Sequence, residues 1–332
     1  MIQRKGDNNN MNIKDKVLEI LYTNMGKSIS GEEIAEKLKI SRNSVWKAVN
    51  TLRSEGIEIS SQTNKGYMLS FENDVFSSAA IKKYLYREHN IILIDEVISS
   101  NTVAKQYASE NAKEGTVVIA KRQTSGRGRM GRTFISNEEN GLYMSIILRP
   151  NISVQESVYI TVMGALAVTK AIEETSNKKC GIKWVNDIFI EEKKVCGILT
   201  EASVNFENAS LEYAVLGIGV NVVPPKDGFS DEIKDIAGSI FFDAPKGYKA
   251  RLCAQIINNF FDLYYNGDKK EYISLYRSKS TIINKNIDVY RGNEIFSGKC
   301  IDIDEDANLV VDIGNGVLKF NSGEARVRKN EP

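Results

Sequence analysis

The sequence predicts an α+β chain of several domains, and three observations carry that prediction. Its 332 residues are enough for two domains of about 150 with room for a small third. The first seventy residues read as two short helices around a tight turn followed by a hairpin. Further on, strands follow one another with turns too short for parallel crossovers, which favours a mixed or antiparallel sheet. We therefore expect a polar tail at 1–11, a winged helix-turn-helix over 12–72, a mixed-sheet domain over 76–275 and a small β-rich domain over 280–329.

In the N-terminal part, Ile13, Val17, Ile20 and Leu21 recur at helical spacing and Gly26 can end that helix. Ser30 can cap the next, with Glu33 at capping-box distance and Ile34, Ala35 and Leu38 as its buried stripe. After the turn Lys39-Ile40-Ser41, a third helix points Val45, Val49 and Leu52 inward. Ile57 to Ser60 and Tyr67 to Leu69 then form a hairpin with Asn64-Lys65-Gly66 near its turn. The face left outward holds Arg42, Asn43, Ser44, Lys47 and Asn50, with Gly31 at the start of the preceding helix. Long cations suit phosphates and amides suit base edges, so this face is the expected DNA contact. Charge alone would leave it a solvated surface, since residues 1–70 carry only a mild excess of +3. The order of motifs tips the reading toward DNA, with a dimer on paired half-sites.

A polar stretch from Ser70 to Ser78 reads as a boundary. A helix starts at Ile81, Ile91–Ile94 is a strand, and Ser99 to Thr102 offers an N-cap for a helix continuing through Ala108. Residues 116–120 and 142–148 are strands, 158–174 a long helix, and 182–184, 187–190, 194–201 and 213–222 four more strands. The last segment alternates over 286–290, 294–301, 309–312 and 316–320 around turns such as Arg291-Gly292-Asn293.

Composition narrows the chemistry. The chain is 42% hydrophobic and 26% charged with a net charge of +1, as expected of a globular protein and not of a disordered one. No apolar run reaches the roughly 18 residues of a membrane span, and the first ten residues lack the apolar region of a signal peptide. Four well-separated cysteines form no CxxC element and suit a reducing, cytoplasmic compartment. His89 is the only histidine, which excludes a zinc site of the HExxH kind; its surroundings read as an exposed helix end. Chemistry is left to Lys, Arg, carboxylates, backbone N–H groups and bound metal.

The segment Gln123 to Arg132 contains G-x-G-x-x-G, but a strand and no helix follows it, so a dinucleotide fingerprint does not fit. Lys121, Arg122, Arg127, Arg129 and Arg132 fall within twelve residues with no acid among them. Their mutual repulsion and three glycines predict a loop that orders on a bound polyanion. An RNA-binding loop and a merely solvated one are the alternatives. In Lys183-Trp184-Val185-Asn186-Asp187, lysine suits a phosphate or carboxylate, and Asp187 can hold Mg²⁺ or orient Asn186. Read alone, a Lys183–Asp187 ion pair at the strand ends is favoured. Glycines within the strands at 197, 217 and 219 mark close approach, to a flat ligand or to packing neighbours.

Gly126-Arg-Gly-Arg-Met-Gly-Arg132, Lys183-Trp-Val-Asn-Asp187, Lys194 to Glu201 and Gly217-Ile-Gly-Val-Asn221 occur in the order found in biotin–protein ligases. With the winged helix in front, the chain resembles the bacterial bifunctional ligase and biotin-operon repressor family over about 12–328. The resemblance implies a class II-synthetase-like central domain and an SH3-like C-terminal barrel closed by Gly323 to Arg328. It implies that biotin and ATP, with Mg²⁺, give biotinyl-5′-AMP, which serves as intermediate and co-repressor. The acyl group then passes to a lysine of biotin carboxyl carrier protein, a part of acetyl-CoA carboxylase or another biotin-dependent carboxylase. Operator DNA and a second copy of the liganded chain are the other implied partners. By the same resemblance Ser99, Ser100, Asn101, Gln123, Arg127, Gly128, Arg129 and Lys183 belong to the biotin site. Lys183 and Arg129 are the catalytic candidates, Arg132, Asn186, Asp187 and Ser239 lie toward ATP, and Asp187 is the metal candidate. Departures are Val185 for proline, Met130 for arginine and Thr133-Phe134 for a Lys/Thr-Trp pair. A biotin sensor without adenylation and a lipoate-type ligase are the competing readings.

Overall fold

The computed structural model describes residues 12–55, 57–62, 65–70, 76–205 and 210–328. The expected polar tail, residues 71–75 of the boundary and Asn64 of the hairpin turn lie outside the described residues. Two compact units emerge: one runs to Tyr84 and includes Pro245–Arg251, the other comprises Leu85–Ala244 and the chain from Leu252 onward.

The first unit holds α1 (Ile13–Thr23), α2 (Gly31–Leu38), α3 (Arg42–Ser54), the hairpin β1 (Ile59–Gln62) and β2 (Gly66–Leu69), and α4 (Ser78–Lys82). The α1 face that is buried is Val17, Leu18, Leu21 and Tyr22, while Ile13 is 45% exposed. Four apolar positions do not by themselves fix which neighbours at 3.6 residues per turn face inward. Ser30 caps α2 through the Glu33 N–H at 3.0 Å, but the Glu33 carboxylate turns to Lys37 at 2.8 Å instead of closing the capping box. Val45, Val49 and Leu52 of α3 are fully buried. Gly66 has a φ of +93°, and a Cβ there would lie 2.1 Å from the Ile29 carbonyl oxygen, so the hairpin closes only with glycine.

In the second unit, β3 (Ile91–Val97), α5 (Ser100–Ser109), β4 (Val117–Gln123) and β5 (Gly141–Leu148) precede the long α6 (Ser157–Ser176). Then come β6 (Gly181–Lys183), β7 (Asp187–Ile190), β8 (Lys193–Asn205) and β9 (Ser210–Asn221). The sheet order is β3-β4-β5-β9-β8-β7-β6, with β3 and β4 parallel and all other neighbours antiparallel, so the sheet is mixed as expected. Helix α5 is the crossover that the parallel pair requires. Its Ala104 and Ala108 pack on Val118, Ile147 and Val215. Arg149 holds the far end of α5 by donating to the carbonyls of Ala108 at 2.7 Å and Ala112 at 3.1 Å.

Helices α7 (Tyr248–Asn266) and α8 (Lys269–Ser278) are absent from the sequence reading, although Leu252, Ile256 and Phe260 recur every four residues and are buried. Strands β10 (Asn286–Arg291), β11 (Glu294–Ile303), β12 (Leu309–Asp312), β13 (Val317–Phe320) and β14 (Glu324–Val327) form an antiparallel sheet, ordered β13-β12-β11-β10-β14. This small sheet is fastened to the β6–β7 turn, where Trp184 Nε1 donates to the Ala307 carbonyl at 2.9 Å. The neighbouring Tyr276 hydroxyl of α8 donates to the Val185 carbonyl at 2.9 Å.

Two minor expectations need correction or gain a cause. His89 is not an exposed helix end: it stacks on Phe261 at 4.5 Å, its Nδ1 is 3.1 Å from the Gly115 carbonyl, and burial lowers its pKa. All four cysteines are buried and unpaired, and burial pushes the Cys300 thiol up to about 11 and Cys180 up to about 12, which disfavours the thiolate. Among the described residues no helix is long and apolar enough to cross a membrane.

Candidate active site

One cavity gathers the β3–α5 junction, the loop after β4, the β6–β7 turn, the glycines of β8 and β9, and Gly323 to Ala325. Its floor is neutral and buried: Ser99, Ser100, Asn101 and Gln123 are each under 7% exposed. Ser99 is the N-cap of α5 by backbone geometry, yet its hydroxyl caps no N–H. The Ser100 N–H donates to Gln123 Oε1 at 2.7 Å, and Gln123 Nε2 donates to the Ser136 hydroxyl at 3.0 Å. The Ser145 hydroxyl lies 2.8 Å from Ser100 Oγ and 2.6 Å from Asn101 Oδ1. Gly217 sits beneath Asn101, where a Cβ would come within 2.1 Å of Oδ1, and Gly219 sits beneath the Phe134 ring, which a Cβ would approach to 2.8 Å. The strand glycines at 217 and 219 therefore make room for Asn101 and Phe134 of the cavity wall.

The rim is cationic. A single 3-10 turn, Arg129–Gly131, replaces the helix a dinucleotide fold needs. Met130 and Gly131 take φ values of 54° and 73°, and Gly128 N–H closes the loop on the Arg132 carbonyl at 2.7 Å. The expected self-repulsion is offset by acids from elsewhere. Arg127 reaches Glu201 at 3.4 Å, Arg129 donates to Asn186 Oδ1 at 3.2 Å, and Arg132 makes a bidentate pair with Glu324. Lys121 pairs with Asp95 at 2.8 Å, and Arg122 with Glu96 at 3.3 Å and Glu139 at 3.5 Å. Sequence reading of one loop could not see partners that arrive from other strands.

Lys183 departs from expectation most. It is the cross-strand neighbour of Asp187, but Asp187 pairs with Lys194 at 2.7 Å. Among the described residues the Lys183 side chain has no hydrogen-bond or ion-pair partner; its ammonium stands 5.9 Å from the Phe189 ring centroid. Burial lowers its pKa, against the raising pull of Asp187 and Glu324. Burial likewise lowers that of Arg129. Asn186 is oriented not by Asp187 but by Arg129 and by donating to the Ile198 carbonyl at 2.8 Å.

Asp187 is the metal candidate. Its buried Oδ1 has no aligned hydrogen-bond donor, since Lys194 approaches off the bonding direction. No group of three His, Cys, Asp or Glu side chains converges among the described residues. One carboxylate fits an Mg²⁺ carried mainly by phosphate oxygens and does not make a resident metal cage. Ser239 does not line the cavity; its hydroxyl donates to the Phe241 carbonyl of its own loop at 2.8 Å. Arg328 makes a structural pair with Asp288 at 2.7 Å.

On the helix-turn-helix, Arg42, Asn43 and Lys47 are exposed and Ser44 and Asn50 half-buried, with Ser44 tied to its cap Ser41 at 2.8 Å. Gly31 opens α2 beside the Tyr67 ring of the hairpin, 3.2 Å from where its Cβ would be. Trp46, 54% exposed, shares this surface and was not singled out in the sequence. Phe134, Lys194 and Glu324 line the cavity, with Ser145 and Glu201 behind its wall, and none of the five is given a site role by the sequence. For Ser145, Lys194 and Glu201 the one signal is polarity within largely apolar strands.

Residues 94–221 match the Biotin/lipoate A/B protein ligase family, 14–68 an HTH domain and 282–328 the Biotin protein ligase C terminal domain. The chain is 34% identical to the bifunctional ligase/repressor BirA of Bacillus subtilis over 94% of its own length and 98% of that protein's. It is 22% identical to the Escherichia coli protein of the same name over 92% and 95%. The biotin protein ligase of Aquifex aeolicus, solved in complex with biotin and ATP, superposes with a TM-score of 0.60 at 28% identity, covering 73% of this chain and 99% of that one. The chain thus belongs to the biotin–protein ligase family, among its bifunctional ligase/repressors.

Proposed function

We propose that the chain activates biotin with ATP, transfers it to a lysine of biotin carboxyl carrier protein, and represses biotin-synthesis genes through its helix-turn-helix. The observation that carries the enzymatic half is Lys183: a half-buried ammonium with no hydrogen-bond or ion-pair partner among the described residues, in the same cavity as the amide-lined floor and the arginine rim. A carboxylate attacking an α-phosphate brings two anions together, and fixed cations offset that repulsion. Lys183 stands for the junction of carboxylate and phosphate, while Arg127, Arg129 and Arg132 enclose the phosphates. Mg²⁺ on the phosphates, with Asp187 as its one protein carboxylate, would add Lewis acidity. Enclosure by the loop keeps water from the mixed anhydride until the acceptor amine attacks its acyl carbon and AMP departs. Ser99, Ser100, Asn101 and Gln123 supply hydrogen bonds for a ureido ring.

Biotin-dependent exchange of labelled pyrophosphate into ATP tests this reading. Strong exchange with biotin supports it; tight biotin binding without exchange identifies a sensor; exchange only with lipoate identifies the other ligase. For the repressor half, Arg42→Ala with Lys47→Ala should weaken operator binding and lower the salt slope by about one for each phosphate no longer neutralised. An unchanged slope places the DNA contact elsewhere. A homodimer of the adenylate-bound chain on paired half-sites, and a cytoplasmic location, complete the proposal.

A further inference from the structure

We propose that Trp46 reads a thymine in the major groove, so that the half-site bound by this chain has an A·T core. This rests on the DNA reading of the helix-turn-helix and names the base chemistry that it selects.

The chain has two tryptophans. Trp184 is 3% exposed, and its N–H is spent on the Ala307 carbonyl. Trp46 is 54% exposed, and among the described residues its ring stacks on nothing and its N–H meets no acceptor. A ring of this size with a free donor is the kind of side chain that anchors a contact with another molecule. Its place on α3 says which. At 3.6 residues per turn, Trp46 lies about one turn from Asn43 on one side and from Asn50 on the other, with Arg42 and Lys47 beside it. From Lys37 to Ser54 the chain has no acid. Lys39, Arg42 and Lys47 make no ion pair among the described residues. The occupant is therefore a polyanion, and a recognition helix laid in the major groove brings base edges to this part of its outer face.

Base chemistry then selects. In the major groove guanine shows two acceptors, cytosine a donor, adenine an acceptor and a donor, and thymine an acceptor beside a methyl group. Indole has one donor and no acceptor. It cannot accept from cytosine, and guanine gives its ring no methyl to cover. Thymine matches both halves, with the methyl against the ring and O4 for the N–H. The amides of Asn43 and Asn50 each carry a donor and an acceptor, which suits adenine. A stripe of amide, indole and amide thus reads A·T pairs, while Arg42 and Lys47 hold the phosphates.

The full chain, supplied with biotin and ATP, is used to enrich duplexes from a random-sequence library. The enriched half-site is then made with each thymine in turn replaced by deoxyuridine, which removes only the C5 methyl. We expect one such position to weaken binding about fourfold, the worth of one buried methyl group. Trp46→Ala should bind the unaltered half-site at least about tenfold more weakly and should no longer sense that deoxyuridine. Its salt slope should stay as it was, because indole neutralises no phosphate, in contrast to the loss at Arg42 and Lys47. Trp46→Phe keeps a ring and should retain the methyl effect. In the unaltered protein the same duplex should shield Trp46 from acrylamide quenching, a signal that the buried Trp184 does not obscure. An enriched half-site without thymine at its core, a methyl effect that persists in Trp46→Ala, or quenching that the duplex leaves unchanged overturns the role of Trp46 while DNA binding stands. No sequence enriched by the unaltered protein overturns the repressor reading as well.

Discussion

In the floor of the cavity, Ser100, Asn101, Gln123 and Ser145 answer one another across a few ångströms, and each polar atom of the chain has a neighbour. On the rim, Arg127, Arg129 and Arg132 reach for partners 74, 57 and 192 residues away, and Lys183 finds none among the described residues. Short neutral side chains can be buried cheaply once satisfied. Long cations cannot, and need acids or a ligand. The floor side chains thus satisfy one another, whereas the rim holds positive charge in reserve. Shape selection belongs to the first region and charge stabilisation to the second.

The sharpest way to break this division is Lys183→Met. It should reduce biotin-dependent pyrophosphate exchange by about 10²–10³-fold, in line with loss of one fixed electrostatic contact in a transition state, with biotin affinity changed far less. Calorimetry and exchange on the same preparation decide it; equal losses in both would mean that floor and rim do not act separately. Arg129→Gly comes next: it removes the donor to Asn186 from the loop and should let the acyl-adenylate escape about tenfold faster, read as loss of bound label during filtration. Retention equal to the unaltered protein would remove Arg129 from the enclosure.

The smallest effect concerns the acids that hold the rim. Burial raises the Glu324 carboxyl, but the hydrogen bonds from Arg132 and Arg326 outweigh it and the net shift is downward. A depressed carboxylate stabilises the fold fully above its unfolded value, and that contribution fades as pH falls through the folded value. Glu324→Gln should therefore cost about 1 kcal/mol at neutral pH, and less if solvent screens the pair, with the gap closing in acid. Denaturant midpoints at neutral and acid pH would reveal a gap that fails to close, contrary to this assignment.

The helix-turn-helix, its hairpin and the strands around the cavity were legible because each follows a local period: Val45, Val49 and Leu52 lie where spacing put them. The site residues were legible only jointly, through the order of four short motifs. What could not be read was pairing. Asp187 has Lys194 rather than Lys183, and the arginine loop is steadied by Glu201 and Glu324, because β7, β8 and β14 converge in space and not along the chain. Helices α7 and α8 escaped notice for a different reason: they carry no recognisable chemistry, although their apolar period is regular. Ser239 was assigned by position in a loop, and the loop turns its hydroxyl inward on itself.

Lys183 has a consequence for the whole molecule and not only for its reaction. An ammonium taken partly out of water, with Asp187 and Glu324 acting on it only from a distance, costs the fold some stability. An anion that settles beside it, binding only the folded chain, draws the folding equilibrium toward the native side by mass action. Since degradation follows the population that transiently opens, the abundance of this chain becomes tied to how much vitamin and nucleotide are at hand.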